Sequence, residues 1–425
     1  MWLKCLTGAV VGGLGVAALL LPVVRAQPYP TDLALDHPAI RYWERAPDNA
    51  VARLDAGLAE GTAMLPFADG GPGYLPSLLA RLDVRVDSQV LVFSKTSLQA
   101  DIVSPRRPRA IYFNDDVAVG FVPDADLIEV AAVDTGVGVA FYSLPTQRSD
   151  RVRFSRSTCL RCHHGPATLG VPGLYVGSVF PNPSGRANIH LGTVVTDHRT
   201  AFDERWGGWY VNGSHGALRH RGNAVANDPS APDRLVTEGT HNLTSLTSKL
   251  DTSPYLSPVS DIVALMTLEH QTQMVNMMTR LTWQARISSA GGAGDVVDGP
   301  VGALVEELLA YMLFVDEARL TDPVTGVSTF TSTFPQRGPH DERGRSLRDF
   351  DLHTRLFRHP LSYMIYSRSF DGLPEHVRAR LYARLHAVLT GAERSGEFPH
   401  LSPDDRRAIL EIVRETKPDL PDYWR

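Results

Sequence analysis

Between residues 84 and 144 the chain reads as short apolar runs broken by turn residues. β-Branched and aromatic side chains dominate 84–93, 110–113, 117–122, 127–133 and 137–144, with Pro, Asp, Asn and Gly between them. That pattern predicts strands of a mostly antiparallel sheet. Two more strands are predicted over 171–180 and 189–195, joined by the turn Pro181-Asn182-Pro183-Ser184-Gly185. Ahead of the sheet, Val51, Leu54, Leu58 and Met64 recur along a surface helix over 49–64, and 77–82 continues helical. Residues 223–258 read as loop. After 260 the period becomes helical. Ser260 or Asp261 caps a long helix to about 285, whose one face carries Met266, His270, Met274, Met277 and Leu281. Residues 288–300, rich in Gly, Ala, Ser and Asp, read as a linker. Helices follow over 301–320, 353–368, 375–390 and 403–416, the last capped by Ser402 with Asp404 and Asp405 in its first turn. The expected fold is α+β: an N-terminal antiparallel β-rich lobe over 27–150, a central segment over 151–287 and a C-terminal helical lobe over 301–425.

The first residues read differently. Lys4, an apolar run from 9 to 24 and the ending Val24-Arg25-Ala26 match a cleavable signal peptide over 1–26. The run is short for a spanning helix, which needs about 20 residues. The expectation is a periplasmic mature chain without a membrane span; an uncleaved anchor is the alternative. Cleavage removes Cys5 and leaves Cys159 and Cys162 as the only cysteines. Composition changes this picture little. Charged residues make up 21% of the chain and hydrophobic ones 43%, as in soluble globular proteins, and a net charge of −5 gives no case for nucleic acid. A mature chain of about 400 residues exceeds one ordinary core, so two or three lobes are expected.

Cys159-Leu160-Arg161-Cys162-His163 is a C-x-x-C-H sequence, the signature of covalent c-type haem attachment. Each thiol at this spacing can add across one vinyl group at the haem edge, and the adjacent imidazole turns under the iron. A structural zinc site needs four ligands, and no second cysteine pair exists. A redox dithiol wants a βαβ setting, which the preceding segment does not provide. One covalent haem c is expected, bound by Cys159, Cys162 and His163, with His163 as proximal iron ligand. The central segment is therefore the expected haem-binding part. Lysine occurs only at positions 4, 95, 249 and 417, so the basic residues are nearly all arginine, the better bidentate partner for carboxylates such as haem propionates.

The sixth iron ligand is left open. No methionine lies between His163 and Met266, whereas several histidines do. His215 is flanked by Gly213 and Gly216 and follows Trp206 and Trp209, two tryptophans suited to packing on a porphyrin or donating to a propionate. His220, His270 and Met266 are further distal candidates; a vacant sixth position is the other. Lys95, Asp115 and Asp116 form a polar group whose simplest reading is hairpin chemistry. The charged run 337–351 reads as an internally paired loop.

The pieces 93–99, 108–120, 159–172, 205–220 and 261–273 resemble a family of secreted bacterial monohaem cytochrome c-like proteins with a single C-x-x-C-H. The resemblance implies c-type haem and an extracytoplasmic home, and it supplies no reaction. The leading functional expectation is electron transfer with a redox partner protein or a small-molecule donor or acceptor. The alternatives are a haem enzyme, peroxidase- or oxygenase-like, with an open distal site, or a haem-based sensor.

Overall fold

The computed structural model describes residues 32–157, 159–293, 297–393 and 396–425. The expected signal peptide, with Cys5, lies outside the described residues. The architecture is α+β, with a seven-stranded antiparallel sheet in the N-terminal half and helices in the C-terminal half. The strands are β1 (Val90–Val92), β2 (Arg109–Phe113), β3 (Val117–Phe121), β4 (Leu127–Asp134), β5 (Gly138–Pro145), β6 (Ser155–Arg156), β7 (Val176–Ser178), β8 (Val194–Thr196) and β9 (Trp209–Tyr210). The large sheet runs β6-β5-β4-β3-β2-β1-β9, and β7 pairs with β8 alone. Its middle is a meander of hairpins. At the β2–β3 turn, the Asn114 Oδ1 accepts from the Asp116 and Val117 amides, which settles that Asn-Asp-Asp segment as hairpin chemistry.

The helices are α1 (Ala50–Glu60), α2 (Leu75–Arg81), α3 (Leu160–His163), α4 (Ile262–Ser288), α5 (Gly299–Met312), α6 (Phe330–Thr333), α7 (Arg368–Asp371), α8 (Glu375–Thr390) and α9 (Pro403–Thr416). Asp261 starts α4: its Oδ1 accepts from the Val263 and Ala264 amides, and its Oδ2 accepts from Val327 and Ser328. α4 is buried on nearly every side, although it carries Glu269, His270, Gln271, Gln273 and Asn276. A helix this polar inside a protein must give each side chain a partner. It is the central post against which the sheet, α5 and the C-terminal segments pack. One large buried apolar cluster joins the sheet, α4 and the C-terminal helices, from Ile40 to Trp424, and a small one of Val103, Val122 and Ala125 stands apart.

Several elements depart from the sequence expectations. Only 90–92 of the predicted strand 84–93 is extended in the sheet, because 86–88 forms a 3-10 turn. The predicted strand 189–195 begins as another 3-10 turn capped by the Asn188 side chain. α5 stops at Met312, where Phe314 and Asp316 take left-handed backbone angles. Residues 353–362 are not helical. The Asp351 carboxylate captures the His353 and Thr354 amides, Leu352 is left-handed and Pro360 cannot continue a helix, so local hydrogen bonds and sterics override the apolar spacing. The expected linker begins as a continuation of α4 through Ser288 into a π turn over Ser289–Ala293, and α4 and α5 pack against each other. The charged run 337–351 is paired mainly outward rather than internally: Arg345 bonds Asp341 within it, while Arg337 reaches Asp83, Arg348 reaches Asp115, and Arg343 and Arg345 reach Glu411 on α9. No helix among the described residues is long and apolar enough to cross a membrane.

Candidate functional site

The C-x-x-C-H sequence folds as the short helix α3, with Cys159 at its N-cap and partly buried, and Cys162 exposed. Both cysteines are free thiols. Together with His163 they line a cavity of about 500 Å³. Pockets of about 300–1,000 Å³ are those that enclose cofactor-sized ligands. The opposite wall is one face of the sheet. Strand register sets Ile111 beside Gly120, Gly120 beside Glu129, Ala118 beside Ala131 and Ala131 beside Phe141. Because alternate residues share a face, Ala118, Gly120 and Ala131 form a strip of small side chains. That strip lines the cavity with the thiols, and the Arg109–Glu129 ion pair lies over it at Gly120. Leu174 and Tyr175 close a third side. A recess of about 100 Å³ shares His163, Leu174 and Tyr175 and reaches Trp209 and, from α4, Leu268 and Thr272.

His163 is held in one tautomer. Its Nδ1 lies 2.9 Å from the Gly173 carbonyl oxygen, a contact that requires the proton on Nδ1. The Nε2 lone pair is then free to bind metal, the arrangement by which a carbonyl orients a ligating imidazole. The Gly173 amide donates back to the His163 carbonyl at 3.0 Å. The rings of Phe141 and Tyr175 flank the imidazole at centroid distances of 5.0 and 5.6 Å. Burial pushes the His163 pKa down, and the Gly173 carbonyl opposes it. This clamp is anchored to α4. The buried Asn276 accepts from the Leu174 amide at 3.1 Å and donates to the Leu174 carbonyl at 2.7 Å. Gly173 must be glycine for this approach: a Cβ there would fall 2.1 Å from Asn276 Oδ1. Neighbouring His164 bonds the Leu33 carbonyl instead, at 2.9 Å.

Burial raises the Cys159 thiol pKa, with the Ser157 hydroxyl, 3.1 Å away, opposing. A disulfide-exchange cysteine has the opposite bias, a lowered pKa. Charge gathers around the same cavity. Arg109 and Glu129 form an ion pair at 2.8 Å across β2 and β4, and Lys95 and Arg161 also line the wall. Lys95 donates to the Ala100 carbonyl at 2.9 Å and does not pair with Asp115, whose partner is Arg348.

Comparison with family models, curated proteins and solved structures returns no match.

The distal candidates lie elsewhere. Among the described residues lining the cavity and its recess, His163 is the only histidine and none is methionine. His215 and His220 meet His241 in a separate cluster. His270 faces His198, their Nδ1 atoms sharing a hydrogen bond at 2.8 Å, and its Nε2 meets Ser362 Oγ at 2.8 Å. Met266 is core. Trp209 borders the recess and donates to the Gly177 carbonyl, whereas Trp206 is fully buried and donates to Glu269 Oε2 at 2.9 Å. The glycines beside the tryptophans bring backbone to backbone: a Cβ on Gly207 would sit 2.0 Å from the Val179 carbonyl oxygen. Sequence reasoning misses Gly173, Asn276 and the small-residue strip. None carries a local signature, and only the strand register and the α4 contact bring them to the site.

The His198–His270 pair makes a pH prediction. Burial holds the His270 pKa at about 3, against an ordinary 6.5. A histidine depressed in the folded state contributes stability that is complete above its unfolded pKa and is lost as pH falls toward the folded value. At about 1.4 kcal/mol per pH unit, His270 alone should forfeit about 2 kcal/mol between pH 6.5 and 5. Glu269 acts in the opposite sense, since burial raises it to about 7 against Arg205 and Trp206. Urea unfolding of wild type and His270→Gln at pH 7 and pH 5 separates the two. The stability gap between them should narrow at pH 5 by about that amount; a gap independent of pH would refute the buried neutral pair.

Proposed function

We propose that the protein is an extracytoplasmic monohaem c-type cytochrome whose haem lies in the 500 Å³ cavity, joined through Cys159 and Cys162 and ligated by His163. The observation that carries the proposal is the convergence of both thiols and one tautomer-locked imidazole on a cofactor-sized cavity with a small-residue strip. The donor set fits the group. His163 presents Nε2 while Gly173 holds Nδ1. Ala118 and Ala131 keep that part of the wall low, beside the Arg109–Glu129 pair over Gly120. Arg109, Arg161 and Lys95 supply cations for its carboxylates. When bound, such a haem supplies one-electron redox chemistry and, with an open axial position, binds small ligands at iron.

The general role is redox, exchanging electrons with a partner protein or a small molecule. The lining favours one protein axial ligand, because His163 is the only imidazole among the described lining residues and no thioether joins it. That observation supports the second reading, a haem enzyme or sensor with an open distal position. The test is the absorption spectrum of the reduced protein with and without carbon monoxide. The five-coordinate reading predicts a high-spin spectrum that shifts on adding the gas. Sharp low-spin bands insensitive to it would return the protein to plain electron transfer and require a sixth ligand brought in from outside the wall.

A further inference from the structure

We infer a second metal site, independent of the haem cavity, built from His215, His220 and His241. It would hold one divalent ion of the zinc class through three neutral imidazoles, with a fourth position open. The three ligand nitrogens lie within 4.8 Å of one another. His215 is 1% and His220 3% exposed, while His241 is half-buried at the rim. The rings of Phe202 and Trp206 back the pair, with Trp206 5.4 Å from His220.

The closest pair already has ligand spacing. His215 Nε2 and His220 Nε2 are 3.2 Å apart. Two nitrogens bound tetrahedrally at about 2.0–2.1 Å stand about 3.3 Å from each other. His241 must close by as much as about 1.5 Å to complete such a site, and it is the least buried of the three. The His215 ring is oriented as a ligand: its Nδ1–H donates to the Leu218 carbonyl at 3.0 Å, which directs the Nε2 lone pair inward. His241 leaves Nδ1 buried without a hydrogen-bond partner.

Without metal, the His215 Nε2 lone pair accepts from the Asn242 amide at 3.0 Å and faces His220 Nε2. Metal entry requires the His220 proton to sit on Nδ1, a change of tautomer that releases no proton, and it displaces the Asn242 amide. The donor set contains imidazole alone, which suits zinc, copper or nickel over the oxygen-seeking magnesium and calcium. An open fourth position on three histidines is the arrangement that binds water or a small anion at zinc.

The test uses purified holoprotein stripped with a chelator and titrated with Zn²⁺, with bound zinc counted by elemental analysis. One zinc per chain at submicromolar affinity is expected, with Mg²⁺ failing to compete. His241→Ala, at the rim where folding should survive, should lower zinc affinity at least tenfold and abolish the zinc-induced rise in Tm, with the haem spectrum unchanged. His220→Ala should do the same. His190→Ala, on an exposed turn, should bind zinc like wild type. Failure to bind one equivalent, or binding by His241→Ala and His220→Ala as tight as by wild type, would overturn the site.

Discussion

Gly173→Ala should cost the protein about 2–4 kcal/mol and disturb the haem spectrum. The added methyl would lie 2.1 Å from Asn276 Oδ1 and 3.1 Å from Thr168 Cβ. Asn276 is fully buried and grips the Leu174 backbone through two hydrogen bonds, so it cannot step aside without leaving polar groups unpaired. Moving the 173–174 backbone instead pulls the Gly173 carbonyl away from His163 Nδ1 and frees the imidazole to turn. Either relaxation reaches His163, the proposed iron ligand. Gly165, two residues after the motif, faces open space: nothing beyond its own chain neighbours lies within 4 Å of the point a Cβ would occupy. Gly165→Ala should therefore leave both stability and spectrum nearly unchanged. Chemical unfolding and ferric spectra of the two variants check the contrast. Equal behaviour of the pair would remove the argument that α4 positions His163.

Removing Arg205 should be comparably severe, at about 3–5 kcal/mol. Its guanidinium is 2% exposed and pairs at 2.5 Å with Glu269, which is fully buried on α4. It also donates to the Thr200 and His198 carbonyls. Arg205→Ala strands a buried carboxylate, for which the Trp206 indole is insufficient compensation. Glu269 should respond by taking up a proton, so the loss should be larger at pH 8 than at pH 5. Replacing both partners together, Arg205→Met with Glu269→Leu, should recover part of the stability, because no charge is then left alone. Urea unfolding of the single and double variants decides. A loss under 1 kcal/mol for Arg205→Ala at pH 8 would contradict the assignment.

The parts legible in the sequence are those whose determinants are local. The hairpins of β2 to β5 announce themselves through alternation and turn residues. α8 and α9 do so through period and caps, and the thiols and imidazole through their spacing. What escapes depends on distant partners. β9 is two residues inside a glycine-rich run and is extended only because β1 offers it an edge. Residues 353–368 carry helical spacing, yet Asp351 and Pro360 win locally. Ala118 and Ala131 look like weak strand residues until register sets them side by side under the motif. His215 and His220 follow the motif in sequence, which makes them candidates for the iron. The loop carrying His241 returns to them instead, and that return has no signature in composition or period. His270 stands out in sequence as a polar residue within an apolar stripe; its two ring nitrogens meet His198 and Ser362, away from the cavity.

The central claim is covalent haem at Cys159 and Cys162, and mass spectrometry of the proteolytic peptide carrying residues 159–163 tests it most directly. The protein should be expressed in a host with c-type maturation machinery and taken from the extracytoplasmic fraction. That peptide should be heavier by one haem, with both sulfurs in thioether linkage and neither open to alkylation. Recovery of that peptide with two free, alkylatable thiols and no haem would contradict it.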